Sequence, residues 1–84
     1  MIGKNEFRIG RDRAYADFAI PENRHIGHCH CHIVSREGEY FIVDDNSKNH
    51  TFVDGAMIPS SVETKLAHGQ TIRLGNEEFE FRIF

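Results

Sequence analysis

Six side chains able to bind metal or move protons crowd one short stretch: His25, His28, Cys29, His30, Cys31 and His32. Imidazole and thiolate are good zinc ligands, and a structural zinc site needs four of them converging on one ion. A strand defeats that convergence. Neighbouring side chains on a strand point to opposite faces, so Cys29, Cys31 and Ile33 share one face while His28, His30 and His32 share the other. Cys31, and Cys29 with it, then read as small apolar residues turned inward, and His32 as a solvated strand residue. A nucleophilic pair of Cys29 and His30 fails for the same reason. Asp44 and Asp45 are adjacent carboxylates, but they stand between an apolar run and a polar loop, where a strand end caps the loop that follows. Ser35, Ser47, Ser60 and Ser61 lie near no evident base with an orienting acid. No catalytic set emerges, and no enzyme is expected.

The composition narrows the partners. Eighty-four residues give room for one domain, and 39% hydrophobic content, with seven Phe, two Tyr and no Trp, fills one modest core. The net charge is −3, from ten basic and thirteen acidic residues. No global field favours nucleic acid or an anionic membrane. Arg8, Arg11, Arg13, Arg24 and Arg36 are scattered and interrupted by Asp12, Asp17 and Glu22, so nucleic acid is not an expected partner. The apolar runs are far too short for a membrane span, and no leader pattern opens the chain. Two cysteines one residue apart close no useful loop, so a reducing, cytoplasmic setting is expected.

Such residues need a scaffold, and the pattern is that of short strands between turns. Phe7 and Ile9 alternate with Arg8 up to Gly10. Phe18 and Ile20 alternate up to Pro21. Glu37-Gly38 turns into Tyr40-Phe41-Ile42-Val43, which looks buried on both faces, and Asp44 to His50 forms a polar loop. Thr51-Phe52-Val53 leads through Asp54-Gly55, a strong hairpin signal, into Ala56-Met57-Ile58. Ile72 and Leu74 precede the Gly75-Asn76 turn, and Phe79, Phe81 and Ile83 alternate after it. An all-β, antiparallel sandwich is predicted, with function in its loops.

Four islands follow in order: Ile9-Gly10-Arg11; Ile26-Gly27-His28-Cys29-His30-Cys31-His32-Ile33; Asp44 through Gly55, containing Ser47-Lys48-Asn49-His50-Thr51-Phe52-Val53-Asp54-Gly55; and Leu66 through Gly75. Together they resemble the forkhead-associated (FHA) domain. Its pattern is Gly-Arg, Ser-Arg-x-His-Ala, Ser-x-Asn-Gly-Thr-Phe-Val-Asn-Gly and Leu-x-x-Gly-Asp-x-Ile-x-Leu-Gly. The likeness covers nearly the whole chain, about Glu6 to Phe84, as a single domain, residues 1–84. The resemblance implies a β-sandwich whose loops at one end bind phosphothreonine peptides. It also implies a domain cut from a longer protein, or a trimmed version lacking the family's first strand.

Carried over residue by residue, the resemblance assigns Arg11 to the phosphate and Asn49 to the peptide backbone. Thr51 follows at the family's threonine, and Lys48 at a loop position that touches the peptide. His30 falls at a histidine that braces the loops. Two positions depart: Gly27 stands for the phosphate-binding serine and His28 for the arginine after it, and a further departure puts His50 at the glycine of Asn-Gly-Thr. Gly27 removes a hydroxyl donor but keeps a backbone N–H. His28 carries charge only when protonated. Losing two charge-assisted contacts weakens binding by about 10²-fold to 10⁴-fold. Two readings follow: a phosphothreonine module with a weak, pH-sensitive site, and a degenerate FHA domain that mediates phospho-independent interaction or assembly. Arg11 has a competing role as a brace for Asp44 or Asp45, and Asn49 as the maker of an Asx-turn. The resemblance also places His28 and His50 in adjacent loops, the better pair for a metal, but two ligands fall short of a site; no cofactor and no metal are expected.

Overall fold

Where apolar and polar side chains alternate, the chain extends. The computed structural model describes residues 6–82, and strands are the regular elements there. They are β1 (Glu6–Gly10), β2 (Phe18–Ala19), β3 (Cys31–Arg36), β4 (Glu39–Asp44), β5 (Thr51–Val53), β6 (Ala56–Met57), β7 (Thr64–Leu66), β8 (Thr71–Leu74) and β9 (Glu77–Glu80). Two sheets result, one in the order β2-β1-β3-β4-β7 and one in the order β6-β5-β8-β9. Ile9, Cys31, Ile33, Ile42 and Leu66 of the first meet Val53, Ile72 and Leu74 of the second, all buried. This is the sandwich the sequence predicts. Its tight turns also lie where expected: Glu37-Gly38 has φ of 51° and 79°, and Asp54-Gly55 has 50° and 85°, the paired positive values that match strand twist in a hairpin.

Several local expectations are corrected. β2 runs parallel to β1, with Ile9 opposite Phe18, because residues 11–17 fold back and the backbone N–H of Asp17 bonds the carbonyl of Arg8. β7 lies outside the strands read from the sequence, since only Leu66 of its three residues is buried and no alternation registers over so short a run. β3 begins at Cys31, not earlier. His28 and Cys29 lie in a turn, Cys29 is exposed rather than turned inward, and the His30 ring is fully buried rather than outward. His32 is not simply solvated. Its Nδ1 lies 2.9 Å from Asp45 and its Nε2 3.5 Å from Glu6, with the ring mostly covered. Cys31 is buried as expected, and burial pushes its thiol well up, with Asp45 and Asp44 adding to the effect. β9 stops at Glu80, and Ile83 lies outside the described residues.

Asp44 ends β4 and governs the loop beyond it. The residue is 1% exposed, and its carboxylate accepts from the Ser47 backbone N–H (3.1 Å), the Ser47 hydroxyl, the Thr51 hydroxyl (2.7 Å) and the Ser60 hydroxyl (2.9 Å). A buried charge is tolerated when its lone pairs are filled in this way. Burial alone would raise its pKa, but the donors from Ser47, Thr51 and Ser60 outweigh it and hold the carboxyl below its ordinary range. The carboxylate thereby pins the start of the 45–50 loop, the start of β5 and the segment ahead of β7. Asp44→Asn presents an amide N–H₂ to this ring of donors, so urea unfolding should show a loss of about 2–4 kcal/mol. A change below about 0.5 kcal/mol would remove Asp44 from this role.

Candidate functional site

Three loops gather at one end of the sandwich: residues 11–17 after β1, residues 20–30 before β3, and residues 45–50 after β4. Glycine sets how closely they approach. A Cβ on Gly10 would stand 2.2 Å from the carbonyl oxygen of His28. One on Gly75, where φ is 61°, would stand 2.8 Å from that of His25. The segment 25–28 therefore lies directly on backbone from both sheets, a position open only to residues without a side chain. Arg11 N–H donates to Gly27 O at 2.9 Å and closes the first contact.

His30 joins the second and third loops. The backbone N–H of Gly27 donates to its Nδ1 at 2.9 Å, and its Nε2 lies 2.9 Å from the carbonyl oxygen of His50. A backbone N–H is always a donor, so Nδ1 accepts, Nε2 carries the proton, and the ring is neutral. Burial lowers its pKa, against the opposing pull of the His50 carbonyl and of Asp44 and Asp45. His50 stands where the resembled family has glycine, and its φ of 68° shows why glycine suits the position. A left-handed non-glycine residue costs roughly 1–2 kcal/mol. The His50 carbonyl answers with two bonds, to His30 and to the N–H of Gly75 at 3.1 Å.

Arg11 and His28 meet on this frame. The Arg11 guanidinium lies 2.7 Å from His28 Nε2. Guanidinium only donates, so His28 accepts and is neutral here, with its proton on Nδ1. Arg11 therefore does not brace Asp44 or Asp45. Asn49 makes no Asx-turn of its own; its side-chain N–H donates to His25 O at 3.0 Å, on the second loop. Lys48, Asn49 and His28 are exposed and Arg11 is half-buried. Two assignments need correction. Thr51 is fully buried with its hydroxyl on Asp44, so its side chain supports the loop from behind and cannot touch a ligand. The Gly27 N–H, expected to remain for phosphate, is already donated to His30. Among the described residues no three His, Cys, Asp or Glu side chains are placed to hold a metal, and His28 is engaged by Arg11 rather than by His50.

An open groove beside Asn49, lined by Ile20, Asn23, Arg24, His25, Asn76 and Glu77, has no counterpart in the sequence reading. Asn23 donates to Asn76 at 2.9 Å and to Glu77 at 2.7 Å, across a separation in sequence that no local pattern reveals. The site as a whole offers cationic and amide donors on three loops and no activated nucleophile.

His30 makes the frame sensitive to acid. Its folded pKa lies below the ordinary 6.5, so the unfolded chain takes up this proton first. The stabilising contribution is fully present above about pH 6.5 and is lost as pH falls toward the folded value. Asp44 acts in the same direction further down, its contribution being present above 3.8 and lost as pH falls through its lowered value. Denaturant unfolding followed from about pH 7.5 to pH 5 should show falling stability, with the His30 ring resonances still neutral at pH 6.5. Stability constant over that window would refute the assignment.

The FHA domain family profile matches residues 7–75. A structure described as a structural and functional analysis of phosphothreonine-dependent FHA domain interactions aligns with 30% identity and a TM-score of 0.86, over 99% of this chain and 81% of its own. The FhaA FHA domain complexed with the intracellular domain of Rv3910 aligns with 31% identity and a TM-score of 0.79, over 93% and 80%. Mycobacterium tuberculosis EmbR in complex with a low-affinity phosphopeptide aligns with 29% identity and a TM-score of 0.86, over 98% of this chain and 21% of that one. A search of curated protein sequences gave no match. The chain belongs to the FHA domain family of protein-interaction modules.

Proposed function

We propose that the loop end built by Arg11, His28, Lys48 and Asn49 binds phosphothreonine peptides on a partner protein, weakly and with a dependence on pH. The observation that carries this reading is the meeting of the Arg11 and His28 side chains at 2.7 Å on loops that His30 ties to the Asn49 loop. A guanidinium supplies paired charge-assisted bonds to phosphate oxygens. Beside it, His28 changes role with protonation. Neutral, its Nε2 occupies Arg11; protonated, it repels Arg11 and adds a second cationic donor, and a dianionic phosphate favours that form. Asn49 and Lys48 then hold the peptide, while Thr51 and His30 keep their loops in place. The phosphopeptide and protein complexes of EmbR and FhaA support the reading by likeness of fold and sequence. As in EmbR, the domain is read as one part of a longer protein. The free thiols of Cys29 and Cys31 suit a reducing compartment.

The commitment of the Gly27 N–H to His30 favours a second reading, in which the surface binds an unmodified partner. One titration series separates the two. A phosphothreonine peptide library should bind at about pH 6 and more weakly at about pH 8, against the weakening expected from protonation of the phosphate itself. His28→Gln should abolish that preference. Gly27→Ser with His28→Arg should tighten binding by about 10²-fold or more. The Gly27 site accepts the change, since an added Cβ meets nothing nearer than 3.6 Å. Absence of binding by the unaltered chain at both pH values refutes the phosphate reading, and binding created only by the double change supports the phospho-independent one.

A further inference from the structure

Asn23 engages its side-chain amide in three directions. Its Oδ1 accepts from the His25 backbone N–H at 2.9 Å, and its Nδ2 donates to Asn76 Oδ1 at 2.9 Å and to Glu77 Oε1 at 2.7 Å. The first bond closes an Asx-turn, and the Ile26 N–H on Asn23 O at 3.1 Å closes the backbone over it. The other two tie that turn to the β8–β9 connection, 53 and 54 residues away in sequence. A carboxylate or a hydroxyl could make the Asx-turn; only an amide also donates twice.

What the turn fixes is a carbonyl. His25 O accepts from Asn49 Nδ2 at 3.0 Å. Gly75 packs against the same oxygen, where a Cβ would stand 2.8 Å away, and its N–H holds His50 O at 3.1 Å. Asn76 Nδ2 lies 3.2 Å from His25 Nδ1, so that amide donates to the ring while its oxygen serves Asn23. Asn49 is exposed, and among the described residues His25 O is the one group that its side chain bonds. Its Oδ1 and second N–H are left for a ligand.

We propose that Asn23 is a positioning residue of the peptide site. Through the His25 carbonyl it fixes the rotation of the Asn49 amide, so that the acceptor and remaining donor of Asn49 meet a peptide already aligned. The inference rests on the phosphothreonine reading of this loop end and adds to it a residue that touches no ligand. Without Asn23 the His25 carbonyl loses its fixed direction, and the peptide must order Asn49 itself, at a loss of about tenfold in affinity. Asn76 and Glu77 are the anchors of the device.

The test uses the isotope-labelled full chain and, as probe, the phosphothreonine peptide that binds it best from a library at about pH 6. Asn23→Ala and Asn49→Ala should each weaken binding by about tenfold, and together no more than Asn49→Ala alone, since one acts through the other. Asn23→Ala with Arg11→Ala should instead multiply the two losses. Asn23→Asp keeps the Asx-turn but sets a carboxylate against Glu77, and should also weaken binding. Adding Glu77→Gln exchanges donor and acceptor across that bond, the exposed Asn76 amide rotating to match, and should restore most of the affinity. In spectra of the free chain, the nuclear Overhauser contact between the Asn49 amide protons and His25 should vanish in Asn23→Ala and return in the exchanged pair. Independent losses for Asn23→Ala and Asn49→Ala, an undisturbed contact in free Asn23→Ala, or no recovery on adding Glu77→Gln would each overturn the proposal. An unaltered chain that binds no phosphothreonine peptide overturns the reading of the site instead, and the free-chain contact then decides alone whether Asn23 sets Asn49.

Discussion

Everything at the working end of this sandwich depends on one buried imidazole. The loops before β3 and after β4 meet through single bonds rather than a ladder, the Asp45 N–H on His30 O and the Asn49 amide on His25 O, each 3.0 Å. The His30 ring adds the buried link, accepting from Gly27 and donating to His50. Each such bond is worth about 1 kcal/mol, but the ring sits where water cannot replace it, at 0% exposure. Removing it would leave the Gly27 N–H unpaired and the His50 carbonyl with Gly75 alone, and the penalty for the orphaned donor exceeds the worth of its bond. The neutral state of the ring is part of the same constraint. An imidazolium would have no lone pair for Gly27.

Asp44 is the complementary device, with opposite chemistry. His30 joins two loops through one donor and one acceptor; Asp44 joins segments by accepting from all of them. The Thr51 hydroxyl is the point at which the two arrangements meet, because the residue before it, His50, gives its carbonyl to His30. A displacement of β5 at its first residue would therefore disturb both. The strained φ of His50 is tolerated at this place since its carbonyl is held by His30 and Gly75 together. The loop that carries Asn49 is thus fixed from within at both of its ends.

How much of this could be read from the residues depends on whether the information was local. The sandwich was legible, because Asp54-Gly55 and Glu37-Gly38 dictate turns by their own backbone preferences, and because Ile72, Leu74, Phe79 and Phe81 alternate. The order of the four islands placed Arg11, His30 and Asn49 in loops that the fold does bring to one end. Four kinds of detail escaped. The alternation from His28 to Ile33 continues through a turn, so period alone could not show that β3 starts at Cys31 or that Cys29 faces solvent. The burial of Thr51 depends on a carboxylate seven residues earlier, which a motif position does not reveal. The commitment of the Gly27 N–H to His30 needs a ring orientation, which sequence spacing leaves open. Asn23, Asn76 and Glu77 met only through tertiary packing.

The two histidines flanking Cys29 show how a fold divides one chemistry between two tasks. Gly27 forces the proton of His30 onto Nε2, while Arg11 forces that of His28 onto Nδ1. His30 is enclosed, with both nitrogens engaged by backbone, so taking up a proton breaks a bond that nothing replaces. His28 is exposed, with its Nε2 on the Arg11 guanidinium. Acid therefore loosens the frame at His30, and because burial lowers that pKa below its ordinary value the ring stays neutral into mildly acidic solution.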